Sequence, residues 1–154
     1  AARVGRYGRG GGTLRGEDHQ RKHMGIGRTA LRWPDGHASW TAATTLRPGT
    51  GAVAVSHSGA TVDTRSFLEL AHSAGATTIA ITNHSSSPLA EAADIVLTTA
   101  ARETGFRSGA LGSRIAQLMV VDCLFIRVAQ ADYDASMAAI RSTYATIQPL
   151  PSRR

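Results

Sequence analysis

A run of hydroxyl-bearing residues around one glycine is the part of the sequence best suited to chemistry. The residues before it, 52–55, are small or β-branched and uncharged, which is typical of a strand buried on both faces of a parallel sheet. After it, an apolar pattern of helical period runs to residue 74, and Gly75 stands where a helix would stop. The run between strand and helix consists of Ser56, His57, Ser58, Gly59, Ala60 and Thr61.

A polar turn between a strand and a helix N-terminus has the chemistry of an anion site. The first amides of a helix lack intrahelical acceptors, the helix dipole favours negative charge there, and serine or threonine hydroxyls donate to phosphate oxygens. The chain contains no GxxxxGK[ST] motif, so a nucleoside triphosphate fits poorly and a smaller, singly phosphorylated ligand fits better. The alternative is a turn that merely caps the helix.

A second polar turn, NHSSS at residues 83–87, follows the apolar run TTIAIT at residues 77–82. The carboxyl ends of parallel strands lie at one edge of a sheet, and open α/β sheets hold ligands at that edge. Two such turns after successive strands therefore favour a phosphate or polar-ligand site, to which Asn83 and Ser85 are the candidates from the second turn.

The alternation of strands and helices along the chain predicts an α/β fold with a parallel sheet covered on both faces. We expect one domain over residues 1–147 and a loose tail over 148–154. Strands are predicted within 3–12, at 28–33, 52–56, 77–82 and 94–98; helices are predicted at 13–24, 37–46, 62–74, one turn from 88, 108–130 and 131–147.

Composition limits the classes of protein that fit. The 154 residues are 42% hydrophobic, which suits one compact domain with a real core. The single cysteine, Cys123, excludes a disulfide framework and a cysteine-based zinc site, and favours a cytoplasmic location. The longest apolar stretch, 118–129, is interrupted by Asp122 and Arg127, so we expect no membrane span.

The net charge of +6 is concentrated near the start of the chain. Residues 1–47 hold nine lysines and arginines against three acidic residues, and the remainder is balanced. These arginines are dispersed among glycines and few aromatic residues, which favours a solvated basic face over direct DNA contact. The glycine turn that includes Gly10 and Gly12 does not complete GxGxxG, because position 13 is Thr. We therefore predict no nucleotide cofactor.

Two histidines and one aspartate lie on predicted helices. His19 and His23 are four residues apart on a predicted helix, but the HExxH glutamate is missing and no third ligand is indicated, so we expect surface histidines and no metal. Asp122 shares a predicted helix face with apolar residues. We expect it to be paired at a helix or subunit contact, since an isolated buried carboxylate is too costly.

Three stretches carry a resemblance to a known family. They are VAVSHSGATVDT, AGATTIAITNHSSSPLAEAADIVLTT, and Glu103 followed by SGALGSRIAQLMVVDCLFIRVAQ. Together they resemble a sugar isomerase (SIS) domain and, more narrowly, the effector-binding half of RpiR-type bacterial transcription regulators. The resemblance is strong over residues 47–131 and traceable from residue 4, where GRGGG matches the family's first glycine turn.

The resemblance implies a three-layer αβα sandwich with a central five-stranded parallel sheet that binds a sugar phosphate or amino-sugar phosphate. It implies that Glu103 lies in a place comparable to the glutamate that moves a proton in the catalytic relatives. Gly12 stands where the family's first turn usually ends in a serine, so one ligand hydroxyl is missing. By similarity, the phosphate-binding turn is formed by Ser56, His57, Ser58, Gly59 and Thr61.

The resemblance also implies a homodimer, which fits the apolar surplus of the long helix, and DNA binding only through a separate N-terminal helix-turn-helix domain. Three functions stay open at this point. They are a phosphosugar-sensing module of a regulator, a sugar-phosphate isomerase that uses Glu103 as its base, and an interaction domain whose ligand site has decayed.

Overall fold

The computed structural model describes residues 3–7, 13–33, 35–102 and 111–148, and of residues 3–7 and 13–18 the backbone alone. Within these ranges, strands and helices follow one another as the alternation predicted. In chain order they are β1 (Arg3–Tyr7), α1 (Thr13–Gly25), β2 (Thr29–Trp33), α2 (Gly36–Ala43), β3 (Thr50–Val55), α3 (Val62–Ser73), β4 (Thr77–Thr82), α4 (Pro88–Glu91), β5 (Ile95–Thr98), α5 (Leu111–Ala131) and α6 (Tyr133–Ile147).

The five described strands form one parallel sheet in the order β2-β1-β3-β4-β5. Strand β3 is central, and its residue Val53 is in register with Arg6 of β1 and Ile79 of β4. Parallel neighbours need a crossover connection, which explains why a helix separates each pair of strands along the chain. The predicted five-stranded parallel sheet is confirmed.

Alternate residues of β3 face two helical layers. Ala52 and Ala54 lie in a buried cluster with Phe67 of α3, to which α2 and α4 also contribute. Val53 lies in a second cluster with Val121 of α5. Side chains alternate between the two faces of a strand. The sheet is therefore covered on both sides, as a three-layer sandwich requires.

Helix α1 lies against α5, and this contact corrects one expectation. His19 and His23 are 2% and 1% exposed, so the prediction of surface histidines was wrong. Their ring centroids lie 4.0 Å apart, and the His23 ring meets Phe125 of α5 at 5.4 Å. Lys22 Nζ lies 2.8 Å from Asp122 Oδ1 across the same contact, which confirms the expected pairing of Asp122.

Helix α3 ends as the sequence predicted. Gly75 adopts a φ of +86°, a conformation that glycine reaches without a Cβ penalty. The amide of Ala76 donates to Ala71 O at 3.0 Å, and the amide of Gly75 donates to His72 O at 2.9 Å. This pair of hydrogen bonds is the Schellman arrangement, which directs the chain into β4.

Helix α2 is shorter than the predicted 37–46. The hydroxyls of Thr44 and Thr45 donate to the carbonyls of Thr41 and Ala42, at 2.8 and 2.7 Å. The amide of Leu46 reaches back only three residues, to Ala43 O at 3.2 Å. Local hydroxyl bonds and tighter turns compete with helix propagation, so the helix ends early.

Helices α5 and α6 leave large apolar side chains in solvent. On α5, Leu111, Ile115 and Met119 are spaced four residues apart and are all exposed. On α6, Ile140 and Tyr144 are also exposed. No helix in the described ranges is both long enough and apolar enough to cross a membrane.

Candidate functional site

The first polar turn leaves the carboxyl end of β3 and is shaped by Ser56. The Ser56 amide donates to Ile81 O at 3.0 Å, which continues the pairing with β4 for one residue. The Ser56 hydroxyl accepts the Gly59 amide at 3.1 Å and lies 3.2 Å from Thr61 Oγ1. Ser56 is only 9% exposed, so much of its hydrogen-bonding capacity folds the turn.

The remaining hydroxyls of this turn lie closer to solvent. Ser58 is exposed, and its hydroxyl accepts the Ala60 amide at 3.3 Å. Thr61 precedes α3 without a side-chain capping bond, and the first intrahelical bond runs from the Arg65 amide to Thr61 O at 3.1 Å. The amides of residues 62–64 therefore have no acceptor within the helix, as an anion site requires.

Gly59 allows the two polar turns to meet. Its φ is +65°, and a Cβ at this position would overlap the side chain of Ser87. Its carbonyl accepts the Leu89 amide at 3.0 Å. Ser87 is buried and caps α4 by accepting the Ala90 amide at 3.4 Å. A side chain larger than hydrogen would separate the first turn from the start of α4.

The second turn is joined to the first through the carbonyl of His57. The Asn83 amide donates to His57 O at 3.0 Å, and Thr82 Oγ1 donates to the same oxygen at 3.2 Å. Asn83 Oδ1 accepts the Thr99 hydroxyl at 3.1 Å and the Ala101 amide at 2.8 Å. These bonds show Asn83 holding the chain that leaves β5.

The two turns contain two titratable side chains, His57 and His84. Their rings meet edge to face with centroids 5.9 Å apart. His57 Nδ1 is buried and has no hydrogen-bond partner among the described residues. Neither turn holds a lysine or arginine, so hydroxyls, amides and imidazoles are the groups that these turns offer to an anion.

The structure brings together the candidates of the two turns, and the others fall outside its described ranges. Gly10, Gly12 and Glu103 are among the latter. The described backbone of β1 ends at Tyr7, in register with Ala54 of β3. Ser85 of the second turn is exposed.

Sequence reasoning missed the contribution of Thr82. It is the last residue of β4, is fully buried, and also accepts the His84 amide at 3.3 Å. A threonine that ends a buried strand beside a polar turn is the only signal in the sequence, and it does not distinguish packing from hydrogen bonding. No group of three or more histidine, cysteine, aspartate or glutamate side chains placed to hold a metal occurs in the described ranges.

The fold and the paired turns define a class: a parallel αβα domain with hydroxyl-rich turns at the carboxyl edge of its sheet. The family model for the SIS domain matches residues 1–127. The chain therefore belongs to the SIS domain family.

Two curated relatives are bacterial regulators. The HTH-type transcriptional regulator RpiR of Escherichia coli K12 is 34% identical over 141 residues, which cover 92% of this chain and 48% of the relative. An uncharacterized HTH-type transcriptional regulator of Caldanaerobacter subterraneus subsp. tengcongensis is 45% identical over 111 residues, covering 72% of this chain and 39% of the relative. The chain spans less than half the length of either relative.

Two solved structures share the fold closely. The Vibrio vulnificus NanR protein complexed with ManNAc-6P has a TM-score of 0.86 and 25% identity, and the match covers 97% of this chain and 56% of that one. The sugar isomerase domain of an RpiR transcription factor from Sphaerobacter thermophilus has a TM-score of 0.77 and 26% identity, covering 92% of this chain and 77% of that one.

Proposed function

We propose that this chain is the effector-sensing domain of an RpiR-type transcription regulator and binds a sugar phosphate. The observation that carries the proposal is the joining of two hydroxyl-rich turns at the carboxyl edge of the sheet, beside a helix whose first amides lack intrahelical acceptors. The relatives support the regulatory class, and the ManNAc-6P held by NanR makes an amino-sugar phosphate the first ligand to test.

In this proposal the phosphate lies against the first turn. Ser58 and Thr61 supply hydroxyls, and the backbone from Gly59 to the start of α3 supplies amides. Ser56 acts mainly by shaping the turn, because its hydroxyl accepts the Gly59 amide. Asn83 acts mainly by holding the second turn, while Ser85, the imidazoles and the residues outside the described ranges, Gly10, Gly12 and Glu103, stay candidates for contact with the sugar.

Thermal shift with a panel of sugar phosphates tests the proposal. We expect ManNAc-6P or a related amino-sugar phosphate to raise the melting temperature, while the unphosphorylated sugars leave it unchanged. Ser58→Ala should weaken affinity about 10- to 150-fold, because a hydrogen bond to a charged group contributes about 1.5–3 kcal/mol. Ser56→Ala plus Ser58→Ala should abolish the shift.

Ser73→Ala is the matched control for these variants. Ser73 is exposed at the far end of α3, and its hydroxyl donates to Glu69 O at 2.9 Å. The variant removes a helix-associated hydroxyl without touching either turn, so the ligand shift should be retained. A shift that survives the double serine substitution would place the ligand elsewhere, and a protein that responds to no phosphorylated sugar would favour the decayed-site alternative.

The isomerase alternative rests on Glu103. Turnover of an aldose or ketose phosphate, lost in Glu103→Gln, would establish it. We expect no turnover, because the two curated relatives described above are transcriptional regulators. In that case Glu103→Gln should change the affinity for the sugar, and neither the wild type nor the variant should show turnover.

We also propose a homodimer that binds DNA through a separate helix-turn-helix domain. The exposed stripe of Leu111, Ile115 and Met119 on α5 supports a subunit contact, since a row of large apolar side chains is costly to leave in water. Light scattering should give twice the chain mass, and Ile115→Glu plus Met119→Glu should give the monomer. The domain is assigned to residues 1–147, with 148–154 as a tail.

A further inference from the structure

Thr82 has the geometry of a residue that controls the first turn without touching the ligand. It is fully buried, so a ligand bound at the surface of the turns does not touch it. Its hydroxyl donates to His57 O at 3.2 Å and accepts the His84 amide at 3.3 Å. One side chain therefore holds a backbone group in each polar turn, and the Asn83 amide adds a second donor to His57 O at 3.0 Å.

The two donors fix the direction of one peptide group. In a trans peptide the carbonyl and the following amide point in opposite directions. Because the His57 carbonyl is drawn toward β4, the Ser58 amide is directed away from β4, toward the open side of the turn where Ser58 is exposed. A flipped peptide would present a carbonyl oxygen to an anion in place of an N–H donor, and the oxygen would repel it.

We infer that Thr82 is a positioning residue: through the His57 carbonyl it aims the Ser58 amide at the phosphate group of the ligand. The inference rests on the proposed function, because it names the residue that makes the first turn competent to bind a sugar phosphate. It also explains why a buried hydroxyl terminates β4, where valine would fill the same space without donating a hydrogen bond.

Three variants separate positioning from stability. Thr82→Val removes the hydroxyl and keeps the shape, and Thr82→Ser keeps the hydroxyl. Thr78→Val is the matched control: Thr78 lies on the same strand, is equally buried, and donates its hydroxyl to Asp94 Oδ2 at 2.8 Å, at the opposite end of β4. Loss of one hydrogen bond predicts that Thr82→Val weakens sugar-phosphate affinity about three- to tenfold.

Isothermal titration with ManNAc-6P and NMR amide hydrogen exchange without ligand complete the test. We expect Thr82→Val alone to weaken binding and to accelerate exchange at the hydrogen-bonded amides of Gly59 and Asn83, with Thr82→Ser restoring both. Equal losses in Thr82→Val and Thr78→Val, or wild-type affinity in Thr82→Val, would overturn the inference while leaving the proposed function intact. If the wild type binds no sugar phosphate, the proposed function fails. The exchange rates then decide whether Thr82 holds the turn: unchanged rates in Thr82→Val reject that role.

Discussion

Gly59 is the position where one added methyl group should do most damage to the site. Its φ of +65° is a conformation that residues with a Cβ rarely adopt. A Cβ would overlap the Ser87 side chain and lie 3.0 Å from Thr82 Oγ1. Ser87 has little freedom to withdraw, because it is buried and caps α4. Gly59→Ala therefore forces the first turn and the start of α4 apart.

The expected cost has two parts. The left-handed backbone contributes about 1–2 kcal/mol for a residue with a Cβ, and overpacking of a buried contact contributes about 1–3 kcal/mol. Gly59→Ala should therefore lower the free energy of unfolding by about 2–5 kcal/mol. Gly49 provides the matched control, since its φ is +83° and no atom lies within 4 Å of its Cβ position. Gly49→Ala should show the backbone part alone.

Urea unfolding of a double-mutant cycle measures the steric part directly. Ser87→Gly removes the obstructing side chain and keeps a tolerated capping residue. In that background Gly59→Ala should cost about 1–2 kcal/mol, close to Gly49→Ala, which gives a coupling of about 1–3 kcal/mol between the two positions. Equal costs of Gly59→Ala in both backgrounds would refute the contact between the turns.

Three further predictions concern the scaffold. Hydrogen bonds from the Thr78 amide and hydroxyl lower the pKa of Asp94, with a smaller contribution from a neighbouring histidine. The stabilisation is therefore present above the unfolded pKa and is lost as the pH falls through the folded pKa, so the melting temperatures of wild type and Asp94→Asn should converge in acid. Lys22→Met should cost under about 1 kcal/mol in urea unfolding, and less at high salt, because its ion pair with Asp122 is partly exposed. Phe67→Ala should cost about 3–5 kcal/mol in the same assay, because Phe67 is fully buried in the larger core cluster.

The strands that carry the site were the most predictable part of the fold. Strands β3 and β4 were expected at 52–56 and 77–82 and are observed at Thr50–Val55 and Thr77–Thr82. Both are uncharged runs rich in β-branched residues and bounded by turn residues, so local composition and burial point to the same structure. Such segments can be predicted from one sequence because their local strand propensity agrees with their burial in the fold.

The burial of His19 and His23 could not be predicted from local composition. Histidine is intermediate between core and surface residues, so its type decides little. His23 packs against the ring of Phe125, which is about a hundred residues away in the sequence and reaches it only when α5 lies against α1. The pairing of Asp122 was predictable because an apolar helix face makes an unpaired carboxylate costly, but its partner Lys22 was not.

The candidate site, too, could be predicted from the sequence only in part. Residue types identified both polar turns, because a hydroxyl-rich run directly follows each of two buried strands. The sequence could not show which of these groups are already engaged within the protein. Ser56 and Asn83 were expected to hold the ligand, and the structure shows the Ser56 hydroxyl and Asn83 Oδ1 accepting backbone amides. Their contact with a ligand stays a prediction.

Which groups of the turns hold the fold and which face solvent bears on the choice between sensor and enzyme. Binding needs hydrogen-bond donors in fixed positions. In the first turn Ser58 is exposed, Thr61 makes no side-chain capping bond, and the amides of residues 62–64 have no acceptor within the helix. Proton transfer needs in addition a base within hydrogen-bonding reach of a substrate carbon. The two turns offer the imidazoles of His57 and His84 as candidate bases, and the isomerase alternative adds Glu103, which lies outside the described residues. The described donors therefore support the proposed sensor, and an assay of turnover in wild type and Glu103→Gln decides whether proton transfer is added to binding.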